Sequence, residues 1–150
     1  GRMPYHCDVP LRWSDMDAYG HVNNVQFLRL LEDARVVAFA EWFGPEDSLL
    51  AEGVLVARHE IEYLAPLEFR HAPVRVDIVV TGVDGAGFTL GYVLRDPDEV
   101  GELRYAVAAT RLVAYDFAAA APKRLPASIR ADLQRREDAD ADAHPVFRWR

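Results

Sequence analysis

Residues 25–43 carry the pattern that most restricts the fold. Phe27, Leu31, Ala34, Ala38 and Trp42 recur at three- and four-residue spacing, the period of one helix face. Leu28, Leu30, Val37 and Phe39 widen that apolar sector well beyond a single stripe. A helix apolar over so much of its circumference has to be wrapped by other structure. Asn23 or Asn24 can cap its start, because an Asn side chain accepts from an otherwise unpaired amide of the first turn. Gly44-Pro45 ends it: Pro cannot continue a helix, and Gly tolerates a left-handed turn.

What can wrap such a helix is legible in the change of period that follows. Ala57, His59, Ile61 and Tyr63 alternate with Arg58, Glu60 and Glu62, and Val74, Val76, Ile78 and Val80 alternate with Arg75, Asp77 and Thr81. After the turn at Asp84-Gly85-Ala86-Gly87 come Phe88, Leu90, Tyr92 and Leu94. Beyond Pro97 and Gly101, the run Leu103, Tyr105, Val107, Ala109, Arg111, Val113 and Tyr115 predicts a long fifth strand. Residues 5–13 read as the first strand and 14–24 as a loop. Short connections between alternating runs predict antiparallel pairing of at least the last three strands. One buried helix and no βαβ alternation make the class α+β, with a curved antiparallel sheet of about five strands around one long central helix. Residues 127–136 predict a short terminal helix. Residues 1–136 are expected to form a single domain and 137–150, acidic and rich in Asp and Ala, a disordered tail.

Composition excludes several classes of function. A net charge of −7 argues against non-specific nucleic-acid binding, which depends on Lys and Arg neutralising phosphates. No apolar run approaches the ~20 residues of a membrane span, and Gly1–Pro10 does not read as a signal peptide. The single cysteine, Cys7, permits no intramolecular disulfide, so a cytoplasmic location is expected. His6, His21, His59, His71 and His144 match no zinc spacing. There is no Gly-x-Ser-x-Gly elbow and no Gly-x-Gly-x-x-Gly after a strand. Neither a metal nor a cofactor is expected.

Chemistry-bearing residues concentrate in Arg12-Trp13-Ser14-Asp15-Met16-Asp17-Ala18-Tyr19-Gly20-His21-Val22-Asn23-Asn24. Two carboxylates, an imidazole and two amides immediately precede the helix. A helix N-terminus offers unpaired N–H groups and a positive partial charge, which suit an oxygen that becomes negative during acyl transfer. A nearby carboxylate can attack a carbonyl or deprotonate water. By spacing alone, the same residues are more often a turn and a cap, and Asp15 can serve simply to hold the loop.

This segment resembles the signature of the 4-hydroxybenzoyl-CoA thioesterase family of hotdog proteins, in its broad acyl-CoA branch. The matching residues are Trp13, Asp15, Asp17, Gly20-His21-Val22-Asn23-Asn24, Phe27, Glu32 and Ala34-Arg35, with Tyr63-Leu64-Ala65-Pro66-Leu67 similar to the family's second strand. The resemblance implies a hotdog fold and hydrolysis of an acyl-CoA thioester. It gives Asp17 the catalytic role, as nucleophile or general base. It gives the backbone N–H of Asn24 the task of polarising the thioester carbonyl, with His21 or Asn23 orienting the thioester or a water. An Asn side chain is neither acid nor base near neutral pH, so the second acid/base role of relatives with a histidine there does not carry over to Asn24.

Trp13, Tyr19 and Phe27 are candidates for an acyl pocket, and Arg70 and Arg124 for the phosphates of CoA, which belongs to the substrate. Arg35 falls inside the apolar sector and is expected to be partnered, by Glu32 or across a subunit interface. The resemblance implies a homodimer or homotetramer with Asp17 facing the partner. Two other readings remain: a thioesterase acting on acyl carrier protein, and a non-catalytic acyl-binding hotdog protein. A hotdog hydratase would need an Asp–His motif that the sequence lacks.

Overall fold

The central helix and its sheet are the frame on which every other element hangs. A computed structural model describes residues 4–44 and 53–138. The chain forms β1 (Tyr5–Val9), a 3₁₀ turn at Trp13–Asp15, α1 (Asn24–Phe43), β2 (Val54–Tyr63), β3 (Val74–Val83), β4 (Gly87–Arg95), β5 (Arg104–Asp116), β6 (Ala121–Pro122) and α2 (Ala127–Arg136). The strand order is β1-β3-β4-β5-β2, antiparallel throughout, with β6 added beside β5. This is the expected α+β hotdog arrangement. The first strand stops at Val9 rather than continuing to residue 13, because the chain folds back into the 3₁₀ turn, where the Asp15 backbone N–H donates to Arg12 O at 2.9 Å.

Alternation decides which side of the sheet meets the helix. Val74, Val76, Ile78 and Val80 of β3, with Phe88, Leu90, Tyr92 and Leu94 of β4, pack into one core with Phe27, Leu30, Leu31, Ala34, Ala38 and Phe39 of α1. β5 presents Ala106, Ala108, Leu112 and Ala114 to the same core; the alanines among them let the wide helix approach the sheet closely. α1 begins where Asn23 accepts the Val25 N–H at 3.1 Å. It ends at Gly44, whose φ of +78° only glycine adopts readily, and whose N–H reaches Ala40 O at 2.9 Å.

α2 contributes Ile129 and Leu133 to the core. Just beyond it, the Asp138 N–H donates to Val80 O at 2.9 Å, fastening the chain to the edge of β3. The rest of the predicted tail, 139–150, lies outside the described residues. No helix among the described residues is long and apolar enough to cross a membrane.

Strand pairing gives the molecule two ends. Tyr63, Ala106, Leu94 and Val76 follow one another across the sheet at one end. Val54, Ala114, Val113 and Gly87 mark the other. The 12–24 segment belongs to the first end, since it leaves β1 at Val9, which pairs with Val74.

Candidate active site

The 12–24 segment is tied down at its base before it offers anything at its rim. Asp15 is 1% exposed. Its carboxylate accepts the Arg12 backbone N–H at 2.9 Å, the Arg12 guanidinium at 3.3 Å and Arg29 Nη2 at 2.7 Å. Its carbonyl accepts the Asn23 N–H at 2.9 Å. Arg29 extends from α1, so this cluster fixes the loop to the helix it precedes. Asp17 and His21 close the loop above it: Asp17 N–H donates to His21 O at 2.7 Å, and Gly20, at φ +79°, makes the turn between them.

Asp17 is half-buried at the rim. Its Oδ1 accepts the N–H of Tyr19 at 2.8 Å and of His21 at 3.1 Å. Among the described residues Oδ2 has no hydrogen-bond partner and no cation pairs with the carboxylate. One oxygen is therefore held and the other left available, the condition for a carboxylate that must attack or take a proton.

Asp17 lines a cleft of about 290 Å³ with His21, Val22, Asn24, Phe27 and Tyr63-Leu64-Ala65-Pro66. Phe27 forms its apolar floor, 2% exposed, with its ring 5.2 Å from that of Tyr63. The Tyr63 hydroxyl donates to Asn24 O at 3.1 Å. At the helix start the Val25 N–H is taken by the Asn23 side chain and the Gln26 N–H by Asn23 O. The Asn24 N–H has no acceptor among the described residues. An unpaired donor at a helix N-terminus thus shares one cleft with an unpaired carboxylate oxygen, an arrangement able to stabilise an oxyanion beside a nucleophile or base.

The sequence candidates divide accordingly. Asp17, His21, Asn24 and Phe27 come together in the cleft. Asn23 stands beside it, its amide oxygen spent on the cap. Trp13 is 73% exposed and packs edge-on against Phe69 at 5.3 Å, and Tyr19 is 85% exposed at the loop tip. Neither lines the acyl-sized cleft.

Arg70 borders an adjoining cavity of about 400 Å³ that shares His21 and Pro66 with the first. Its guanidinium is engaged by Asp96 at 2.5 Å, the Tyr105 hydroxyl at 3.1 Å and the Ala72 and Pro73 carbonyls. Burial favours the neutral form of Asp96, but hydrogen bonds from Tyr105 and Arg70 outweigh it and hold that carboxyl below its ordinary range. Arg124 lies at the opposite end of the strands, against the Gly85 turn. It sits between Lys123, whose N–H donates to Ala114 O, and Leu125, whose N–H donates to Gly85 O.

Tyr63, Leu64, Ala65 and Pro66 line the cleft, and alternation alone did not single them out for it; the resemblance of 63–67 was their only signal. Arg29 left no signal, because its reach to Asp15 depends on how the loop folds back. Among the described residues no cluster of His, Cys, Asp and Glu could hold a metal ion.

Residues 11–133 match the profile of the thioesterase-like superfamily. Among solved structures, a thioesterase from Thermus thermophilus, complexed with coenzyme A and Zn, is 28% identical, with a TM-score of 0.76 over 90% of this chain and 95% of that one. A candidate thioesterase from Pseudomonas aeruginosa is 30% identical, with a TM-score of 0.74 over 87% and 98%. A gentisyl-coenzyme A thioesterase, 20% identical, shares the fold with a TM-score of 0.69 over 86% and 98%. No curated protein matches the sequence significantly.

Proposed function

The chain belongs to the thioesterase-like superfamily, and from that premise we propose that it hydrolyses an acyl-CoA thioester to the free acid and CoA, with Asp17 as its catalytic carboxylate. The observation that carries the reading is the shared cleft: the Oδ2 of Asp17 and the N–H of Asn24, neither with a partner among the described residues, belong to one cleft with an apolar floor. The CoA complex of the Thermus thermophilus relative and the signature of the 4-hydroxybenzoyl-CoA thioesterase family support CoA as the thiol carrier.

The thioester carbonyl oxygen would accept from the Asn24 N–H, whose field opposes the negative charge that develops on it. Asp17 would then act in one of two ways. As nucleophile, Oδ2 bonds to the carbonyl carbon, the C–S bond breaks, CoA leaves as thiolate, and water hydrolyses the mixed anhydride. As general base, Asp17 takes a proton from a water that attacks the same carbon, and again CoA thiolate leaves. A thiol with an ordinary pKa near ~8.5 leaves without strong acid assistance, so neither a second acid/base residue nor a metal is needed. His21 orients the thioester or a water, and Phe27 carries the apolar end of the acyl group.

Arg70 adjoins the cleft as a contact for CoA phosphates, with its charge already shared with Asp96. Arg124 could serve only the cleft of a neighbouring copy. The reading includes a homodimer or homotetramer acting in a reducing compartment such as the cytoplasm. The competing substrate is an acyl carrier protein thioester, which would call for a broad basic docking face on a chain of net charge −7.

The test is a panel of short, long, branched and aromatic acyl-CoA esters and an acyl carrier protein thioester, with released thiol followed colorimetrically. Release from at least one CoA ester, abolished in Asp17→Asn, is expected. Release only from the carrier thioester would move the substrate class, and no release from any ester would leave an acyl-binding protein.

A further inference from the structure

Trp13 is a large aromatic side chain left in solvent on a fixed backbone. It is 73% exposed and opens the 3₁₀ turn Trp13–Asp15. That turn is pinned by the Asp15 N–H on Arg12 O at 2.9 Å and the Met16 N–H on Trp13 O at 3.2 Å. The indole meets Phe69 edge-on, with ring centroids 5.3 Å apart and planes at 87°. Phe69 is steadied in turn by His71 at 5.6 Å and packs against the core. A single exposed apolar side chain is ordinary. One carried on a fixed turn and braced by a second ring has already given up freedom that binding would otherwise cost. Its open surface is a ready platform for a flat ring.

The platform lies on a path that begins at Asp17. His21 and Pro66 line both the Asp17 cleft and the adjoining cavity of about 400 Å³, so the two spaces meet at those residues. Phe69 and Arg70 belong to the wall of the second cavity, and Phe69 carries the contact to Trp13. A thioester whose carbonyl reaches Asp17 and Asn24 with its acyl group on Phe27 therefore has its thiol side leading past His21 toward Phe69 and Trp13.

Charge is arranged along the same path. Arg12 precedes Trp13 and keeps 56% of its side chain exposed while it contacts Asp15. His71 stands against Phe69, and Arg70 lies between them in sequence. A guanidinium suits a phosphate. The carboxylate of Glu68 borders the cavity at the His21 end, 4.0 Å from the imidazole. The pantetheine arm of CoA is neutral there, and its phosphates come only further on, next to the adenine. Asp15 and Asp96 are already engaged by arginines.

We propose that the adenine of the CoA substrate stacks on Trp13, with Phe69 bracing the indole and Arg12 and His71 beside it for the phosphates, while the pantetheine arm occupies the cavity between His21 and Arg70. The inference rests on the acyl-CoA reading above, and it gives Trp13 a part at the CoA end of the substrate instead of the acyl end. Stacking of a base on an aromatic face is independent of the acyl group, so Trp13 governs affinity for the carrier and leaves acyl selectivity to the Asp17 cleft.

Calorimetric titration with CoA and with pantetheine, which lacks the nucleotide, tests the platform apart from the reaction. Trp13→Ala should weaken CoA binding about tenfold, within the range for losing one base–aromatic stack, and leave pantetheine binding unchanged. Trp13→Phe, which keeps a ring, should recover most of the loss. On the acyl-CoA that the wild type cleaves best, Trp13→Ala should raise KM about tenfold at unchanged kcat. Circular dichroism accompanies each variant. CoA affinity untouched by Trp13→Ala, or no CoA binding by the wild type, would overturn the platform; so would a Trp13→Ala variant whose only change is in sedimentation, which would mean that a second copy covers the indole. CoA binding that depends on Trp13 in a protein that cleaves no ester would uphold the platform and overturn the hydrolysis. Hydrolysis lost in Asp17→Asn, with CoA affinity indifferent to Trp13, would do the reverse.

Discussion

Asp15 and Asp17 stand two residues apart in one loop and have opposite surroundings. Asp15 is sealed at the base between the guanidiniums of Arg12 and Arg29. Asp17 sits at the rim with two backbone donors on one oxygen and, among the described residues, none on the other. A carboxylate already neutralised by two cations and closed to solvent is a poor nucleophile or base. A carboxylate held by neutral donors, with one oxygen open to a cleft, keeps its reactivity. The difference teaches that the loop spends one aspartate on its own shape so that the other can be presented.

That division can be broken residue by residue. Asp15→Ala removes the buried anion that Arg12 and Arg29 share, while both arginines still reach solvent and Arg29 keeps Asp33, so it should cost about 1.5–3 kcal/mol of stability, the range for hydrogen bonds to a charged group; a urea melt reads it, and a loss under about 0.5 kcal/mol would mean that the clamp does not hold the loop. Asp96 extends the class of buried structural carboxylates. Asp96→Asn, which weakens the bonds from Arg70 and Tyr105, should cost about 1.5–3 kcal/mol near neutral pH, the range for hydrogen bonds to a charged group.

The sign of its pH dependence follows from the direction of the shift. The folded-state pKa of Asp96 is lowered from 3.8, so its contribution is complete above that value and is lost as pH falls through the still lower folded one. The gap between wild type and Asp96→Asn should therefore narrow in acid, and melts at several pH values test it; a gap that widens in acid would contradict the assignment. Asn23→Ala, which removes the α1 cap, should cost about 1 kcal/mol and should lower turnover only modestly if Asn23 serves the helix more than the thioester. A loss of turnover as large as that of Asp17→Asn would place Asn23 in the chemistry instead.

Most of the frame was legible because period and packing agree. The stripe from Phe27 to Ala38 predicted a wrapped helix, and alternation from Ala57 to Tyr115 predicted the sheet that wraps it. Asn23 as cap and Gly44 as stop followed from local chemistry. Trp13 and Tyr19 look like pocket residues by type, yet they point outward, since type does not set direction on a loop that doubles back. Arg70 and Arg124 seemed comparable at strand ends, but strand order places them at opposite ends of the sheet. The role of Asp15 depended on Arg29, fourteen residues away, and no spacing rule links a loop carboxylate to a helix residue across a turn whose course is unknown. Arg35 was expected to find a partner, and among the described residues it donates to the Tyr92 hydroxyl rather than to Glu32.

The most direct test of Asp17 as the catalytic carboxylate is kcat of Asp17→Asn on whichever acyl-CoA the wild type cleaves best. The substitution keeps the shape of the side chain and removes its charge. The expected result is a fall of at least ~10³-fold, the scale for removing a key catalytic group, with an unchanged melting curve. A folded Asp17→Asn enzyme that retains wild-type turnover would contradict that role and move the chemistry to another residue.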